Sequence, residues 1–172
     1  MATRTKIVLD ADVIIHFIKG CQFSLLLDIF PEYLILDVVY NEVTVNRVSK
    51  TQIDNTLQFL KSRISLVKFA PSGDSRLEYA RLISTLGRGE SACMVFCRDN
   101  NDVLGSSNLR DIKEYCEKNQ ITYLTTIDFL YYAYVHKKMT EKECRQFIVD
   151  VNSKGSRLPV VDIMTYVPPC RI

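Results

Sequence analysis

The sequence predicts a three-layer α/β/α sandwich around a central, mostly parallel sheet. Three observations predict it. Short uninterrupted apolar runs such as Ile7-Val8-Leu9 and Tyr33-Leu34-Ile35-Leu36 fit strands covered on both faces. These runs alternate with stretches of helical period, the pattern of a parallel sheet wrapped by helices. The chain is 172 residues long, 47% hydrophobic and 24% charged, which suits one domain with a sizeable core. No internal repeat, linker or low-complexity segment divides it, so residues 1–172 read as a single domain, with a core over about 6–136 and a C-terminal helix and tail over 139–172.

The elements follow in order. Lys6 to Leu9 is the first strand. Val13, Ile14, Phe17 and Ile18 recur at helical spacing, so Ala11 to Lys19 is a helix that Gly20 stops. Phe23 to Phe30 continues as helix until Pro31, and Tyr33 to Leu36 is the second strand. Asp37 precedes a helix over Val38 to Val43, with Glu42 in its first turns. Thr51 to Arg63 is amphipathic, with Ile53, Leu57 and Leu60 on one face. Ile64 to Phe69 is the third strand, and Pro71-Ser72-Gly73-Asp74 is a turn ending in a helix cap. A helix over Arg76 to Leu86 leads to Gly87-Arg88-Gly89-Glu90, whose glycines permit a tight bend and close backbone approach. Glu90 opens a helix to Asp99, and Val103 to Ser107 is the next strand, with the polar exit Ser106-Ser107-Asn108. Asp111 to Asn119 is helical, and Ile121 to Leu124 is the last strand. Thr125-Thr126 cap a helix through Tyr134, and Thr140 with Glu143 forms a capping box for a helix to about Val151. Gly155 to Ile172 is irregular.

Bulk properties narrow the class. The net charge of +2 is mixed in sign along the chain and gives no global nucleic-acid signature. Six cysteines show neither zinc spacing nor a disulfide framework and read as buried free thiols of a reducing compartment. Met1-Ala2-Thr3-Arg4 leads straight into the first strand without a signal peptide, and no apolar run is long enough to span a bilayer. The expectation is a cytoplasmic protein with no membrane partner.

Acids stand where strands end. Asp10 follows the first strand, Glu42 begins the helix after the second, Glu90 follows the Gly-x-Gly turn, and Asn108 and Asp111 follow the fourth. A parallel sheet presents all its strand C-termini at one edge, so these groups converge despite their separation in sequence. Convergent carboxylates raise one another's pKa, and a hard divalent ion, Mg²⁺ or Mn²⁺, relieves the repulsion. Such ions polarise a phosphodiester and activate water, which points to phosphodiester hydrolysis. Asp12 reads as a helix cap or a supporting group behind the ligands, with Ser107 in a similar role. Arg88 and Arg110 lie near the same edge, where arginine can hold phosphate.

The chain resembles the PIN-domain nucleases, which include the toxin ribonucleases of bacterial toxin–antitoxin pairs. The resemblance lies in Leu9-Asp10-Ala11-Asp12-Val13-Ile14-Ile15, Asn41-Glu42-Val43, Gly87-Arg88-Gly89-Glu90-Ser91-Ala92 and Ser106-Ser107-Asn108-Leu109-Arg110-Asp111. It extends over roughly Lys6 to Arg157 and is nearest to a subgroup whose third acid sits in a Gly-x-Gly-Glu turn. Asp10, Glu42 and Glu90 match the first three acidic positions. The fourth departs from the pattern: Asn108 stands where an Asp is usual, and Asp111 lies one turn further on. The resemblance implies an Mg²⁺- or Mn²⁺-dependent endoribonuclease in which Asp10, Glu42, Glu90 and Asp111 are catalytic. Those four acids and Asn108 would be the metal ligands. It further implies an RNA substrate and an antitoxin protein as partner; the aromatic helix with Phe129, Tyr131, Tyr132 and Tyr134 suits a core or subunit contact, hence a homodimer. Two rivals stand beside it. One is a catalytically weak or inactive module of the same fold that binds nucleic acid or protein. The other is an aspartate-nucleophile phosphatase, suggested by Asp10-x-Asp12 alone.

Overall fold

The structure, a computed structural model, describes residues 6–172. The reading of Met1 to Arg4 as a leaderless start lies outside the described residues. A five-stranded sheet has the order β3-β2-β1-β4-β5, and every neighbouring pair is parallel. Its strands are β1 (Ile7–Leu9), β2 (Tyr33–Leu36), β3 (Ile64–Val67), β4 (Val103–Gly105) and β5 (Tyr123–Leu124). The apolar runs of β1, β2 and β4 are buried at every residue, as strands with both faces covered must be.

The connections supply the covering layers. Between β1 and β2 run α1 (Ala11–Lys19) and α2 (Phe23–Ile29), and between β2 and β3 run α3 (Asp37–Val43) and α4 (Arg47–Phe59). Then α5 (Gly73–Leu82) and α6 (Arg88–Asn100) carry the chain back across the sheet to β4. The last crossover is α7 (Leu109–Asn119), and α8 (Thr126–Val135) and α9 (Glu141–Ser153) follow β5. Right-handed crossovers in opposite directions along the sheet put helices on opposite faces. Accordingly α1 packs with α2 and α9, and α2 with α8, whereas α6 packs with α5 and α7. The order β2-β1-β4 reverses direction at β1, so β1 and β4 are the switch point at which α/β sheets open a crevice.

The elements depart from the sequence reading mainly at their ends. Helix α4 begins four residues earlier than its apolar period suggests, because Asn46 Oδ1 accepts the Val48 and Ser49 amides as an N-cap. Helix α3 is only seven residues long, so Glu42 lies in its last turn rather than its first. Helix α5 starts at Gly73 and ends at Leu82, short of Leu86. Both threonine caps form as expected, with Thr125 paired to Asp128 and Thr140 to Glu143. All six cysteines are free, but Cys21 is exposed rather than buried. No helix among the described residues is long and apolar enough to cross a membrane.

Gly20 closes α1 for a reason the pattern does not show. Its φ is −78°, an ordinary right-handed value, and the reversal falls on Cys21 at φ 56°. A Cβ on Gly20 would stand 2.2 Å from the Phe147 ring, which packs on Phe17 at a centroid distance of 4.9 Å. The glycine thus lets α9 dock against the end of α1. Gly20→Ala is expected to fold with a loss of about 1–3 kcal/mol from overpacking. Denaturant unfolding checks this, and an unchanged midpoint would refute the packing account.

Candidate metal centre

Asp10 leaves β1 with its amide donating to the Gly105 carbonyl of β4 at 2.9 Å. That bond places the residue at the carboxyl edge of the switch point. Its Oδ1 accepts the Ala11 amide at 2.8 Å and so caps α1, while only 5% of the residue is exposed. Capping and ligation are therefore not alternatives at this residue, since one oxygen serves the helix. Burial first, then the neighbouring Asp12 charge, push the Asp10 carboxyl up to about 8, with Glu90 adding to the rise. The Ala11 amide and the Ser106 hydroxyl pull the other way.

Asp12 does not cap α1. Its Oδ2 accepts the Ser107 amide at 2.7 Å, across 95 residues of sequence, and its Oδ1 accepts the Val13 amide. It is raised above the usual carboxylate range by burial, against the hydrogen bonds it receives. Asp12 thus belongs to the acid cluster itself and also ties α1 to the loop between β4 and α7.

Glu90 sits in the first turn of α6 and is 9% exposed. Burial, followed by the Asp111 charge, raises its carboxyl to about 7, and the Asn108 amide opposes this. No basic side chain bonds it among the described residues. Its partner is Asn108 Nδ2 at 2.9 Å, and the same nitrogen reaches Asp111 Oδ2 at 2.8 Å. Asn108 therefore enters the site as a donor bridging two acids, not as an oxygen ligand. Asp111 is held below the usual carboxylate range by Arg110, whose Nε lies 3.0 Å away, and by Asn108. The Arg110 side chain is 87% exposed and stands at the rim. Arg88 is exposed at the start of α6 and makes no side-chain hydrogen bond or ion pair to the acids among the described residues.

Glu42 reaches this edge from α3. It is exposed, and its Oε2 would be 2.6 Å from a Cβ on Gly89, the residue before Glu90. Val39 would lie 3.3 Å from the same Cβ. The second glycine of the turn thus has a packing role: it admits the Glu42 carboxylate and Val39 beside α6. Gly87 meets no such neighbour and serves as the N-cap of α6.

Three contributors escaped the sequence reading. Ser106, fully buried directly after β4, offers its hydroxyl to Asp10 and Asp12. Thr126 donates its amide to Ser107 Oγ at 2.8 Å, and its hydroxyl bonds His16 Nδ1 at 2.8 Å. The polar exit from β4 was the one signal for Ser106; Thr126 and His16 gave none. Asp128, fully buried in the first turn of α8, is instead structural: it closes the capping box and accepts the Tyr166 hydroxyl at 2.7 Å.

Among the described residues, no three His, Cys, Asp or Glu side chains already stand in ligating geometry. The donors nevertheless fit a hard divalent ion. They are carboxylate oxygens, two of them on buried groups whose affinity for protons marks missing positive charge.

The family model described as DUF3368, PIN domain, matches residues 6–161. Similar solved structures include VapBC2 from Rickettsia felis bound to a DNA fragment from its promoter, at 14% identity and a TM-score of 0.49, covering 70% of this chain and 98% of that one. Another is VapBC-1 from nontypeable Haemophilus influenzae, at 14% identity and a TM-score of 0.47, covering 71% and 98% respectively. No curated protein matches the chain.

The two raised carboxyls give stability a definite pH dependence. Each binds more protons folded than unfolded, since 3.8 and 4.5 are the ordinary values and about 8 and about 7 the folded ones for Asp10 and Glu90. Their contribution is complete below the ordinary values and is lost as pH rises through the folded ones. His16, lowered to about 4 by burial, works oppositely, removing stability as pH falls below its ordinary 6.5. In chelator, Tm should therefore fall from about pH 6.5 to about pH 8.5. Thermal melts across that range check it, and a rising Tm would contradict the placement of these acids.

Proposed function

The chain belongs to the PIN-domain family, and from that premise we propose that it is a metal-dependent endoribonuclease. The observation that carries the reading is the pair Asp10 and Glu90, buried at the switch point and left without a bonded cation among the described residues. Asp10, Glu90 and Asp111 would hold Mg²⁺ or Mn²⁺, with Glu42 closing the site from α3 and Asn108 contributing after its amide turns. When bound, such an ion supplies charge neutralisation at phosphodiester oxygens and activation of water.

The chain's own groups divide the remaining work. Asp10 has one oxygen engaged by Ala11, which leaves the other for the site. Ser106 and the Ser107 amide keep Asp10 and Asp12 oriented. Arg110, paired to Asp111 at the rim and largely exposed, can turn toward a backbone phosphate, where its planar donors bind two oxygens at once. Arg88 would extend that contact along the strand. The resemblance to toxin ribonucleases brings an antitoxin partner into the proposal, to which the aromatic helix adds a homodimer and the cysteine usage a cytoplasmic setting.

One observation favours a second reading. The Asn108 amide hydrogen-bonds Glu90 and Asp111 together, as suits a site used for binding without cleavage. Metal titration separates the two. Calorimetry with Mn²⁺ should show binding for the nuclease and none at millimolar metal for the binding module.

For the nuclease, RNA should be cut with Mg²⁺ or Mn²⁺ and left intact in EDTA. Asp10→Asn should lower the rate by about a hundredfold or more. In chelator near pH 8 the same variant should melt above the wild type, because it removes a buried ionising group. Cleavage that survives both EDTA and Asp10→Asn would overturn the proposal.

A further inference from the structure

Four hydrogen bonds form a closed clasp behind the acids. Asp12 Oδ2 accepts the Ser107 amide at 2.7 Å. Ser107 Oγ accepts the Thr126 amide at 2.8 Å and shares a hydrogen bond with the Thr126 hydroxyl at 2.8 Å. Thr126 Oγ1 in turn shares one with His16 Nδ1 at 2.8 Å. His16 lies on α1 one helical turn beyond Asp12, so the path leaves α1, crosses the β4–α7 loop and the start of α8, and returns to α1.

We propose that His16 and Thr126 are positioning residues that set the Ser107-Asn108 loop, and through it the Asp12 carboxylate and the Asn108 amide, for metal binding. The inference rests on the metal reading above. Its ground is steric and electrostatic. The Ser107 amide reaches Asp12 from outside α1 at 2.7 Å, with the Asn108 amide beside it. Its neighbour Asn108 decides whether Glu90 and Asp111 meet a donor or an oxygen. Free rotation of Ser107 would release both. Thr126 is fully buried and cannot exchange its partners for water, so the clasp holds one arrangement. The clasp joins the three segments that follow β1, β4 and β5, beside the Ser106 hydroxyl that reaches Asp10 and Asp12.

The test compares removal with conservative replacement. His16→Leu and Thr126→Val delete the link, whereas His16→Asn places a polar atom near the Nδ1 position and Thr126→Ser keeps the hydroxyl. Mn²⁺ affinity, read by calorimetry on the full chain, should weaken about tenfold in the first pair and stay near wild type in the second. A clasp that only stabilises the fold would lower Tm in the first pair without moving the Mn²⁺ affinity, and that result overturns the proposal. Amide exchange of Ser107 and Asn108 gives a metal-free check: it should quicken in His16→Leu, and unchanged protection overturns the proposal equally. Failure of the wild type itself to bind Mn²⁺ would overturn the metal reading first, and the positioning role with it.

Discussion

Desolvated carboxylates at the carboxyl edge of the sheet are the constraint on which the structure turns. Asp10 and Glu90 are each less than a tenth exposed, and burial raises both carboxyls well above the usual carboxylate range. The fold creates this situation directly. Strands β1 and β4 must be covered on both faces, so the residues that leave them enter a crevice already lined by the starts of α1 and α6. An acid at the end of β1 is therefore buried by the same packing that makes the strand stable. Helix α1 returns part of the cost through the Ala11 amide, and its N-terminal partial charge favours the anion. The raised pKa shows that this is not enough.

The loop after β4 answers the acids with neutral donors. Ser106, Ser107 and Asn108 place a hydroxyl, a backbone amide and a side-chain amide against Asp10, Asp12, Glu90 and Asp111. An aspartate in place of Asn108 would add a further negative charge to a cluster already short of positive charge. As it stands, the loop bridges Glu90 and Asp111 through the Asn108 amide. A ligating Asn108 must turn its oxygen inward and give up both donated bonds.

Most of the fold could be read from periodicity because burial on both faces makes parallel strands contiguous in apolar residues. Helix α1 and strand β2 lie where the apolar runs put them. The start of α4 could not be read that way, since Val45 and Val48 are exposed and break the apolar period, while Asn46, the true start signal, is an ordinary polar residue by itself. In the site, Asp10 and Glu90 were legible from position, each at an element boundary that topology brings to one edge. Glu42 was legible as an acid following β2, although its place in the last turn of α3 and its approach to Gly89 were not. Ser106, Thr126 and His16 were not legible. Small polar residues carry no period, and the contact between His16 and Thr126 spans 110 residues. The orientation of the Asn108 amide depends on two acids from different elements and has no local signal at all.

The amino edge of the same sheet supplies the comparison that gives the acid cluster its meaning. There too carboxylates stand beside strand ends, with Glu32 just before β2 and Asp102 just before β4. Around a cavity of about 580 Å³ that both line, Glu32 pairs with Lys6 Nζ at 3.0 Å and Asp102 accepts the Lys6 amide at 3.0 Å. Arg98, which lines the same cavity, pairs with Asp99. Cations thus stand beside acids at this edge. At the carboxyl edge Arg110 stands largely exposed on the rim and bonds Asp111, while Glu90 receives only an amide. A chain with 22 Lys and Arg residues does not lack charge to place there. Asp10, Asp12 and Glu90 gather there with no basic side chain bonded to any of them among the described residues, a charge balance that favours a cation from solution.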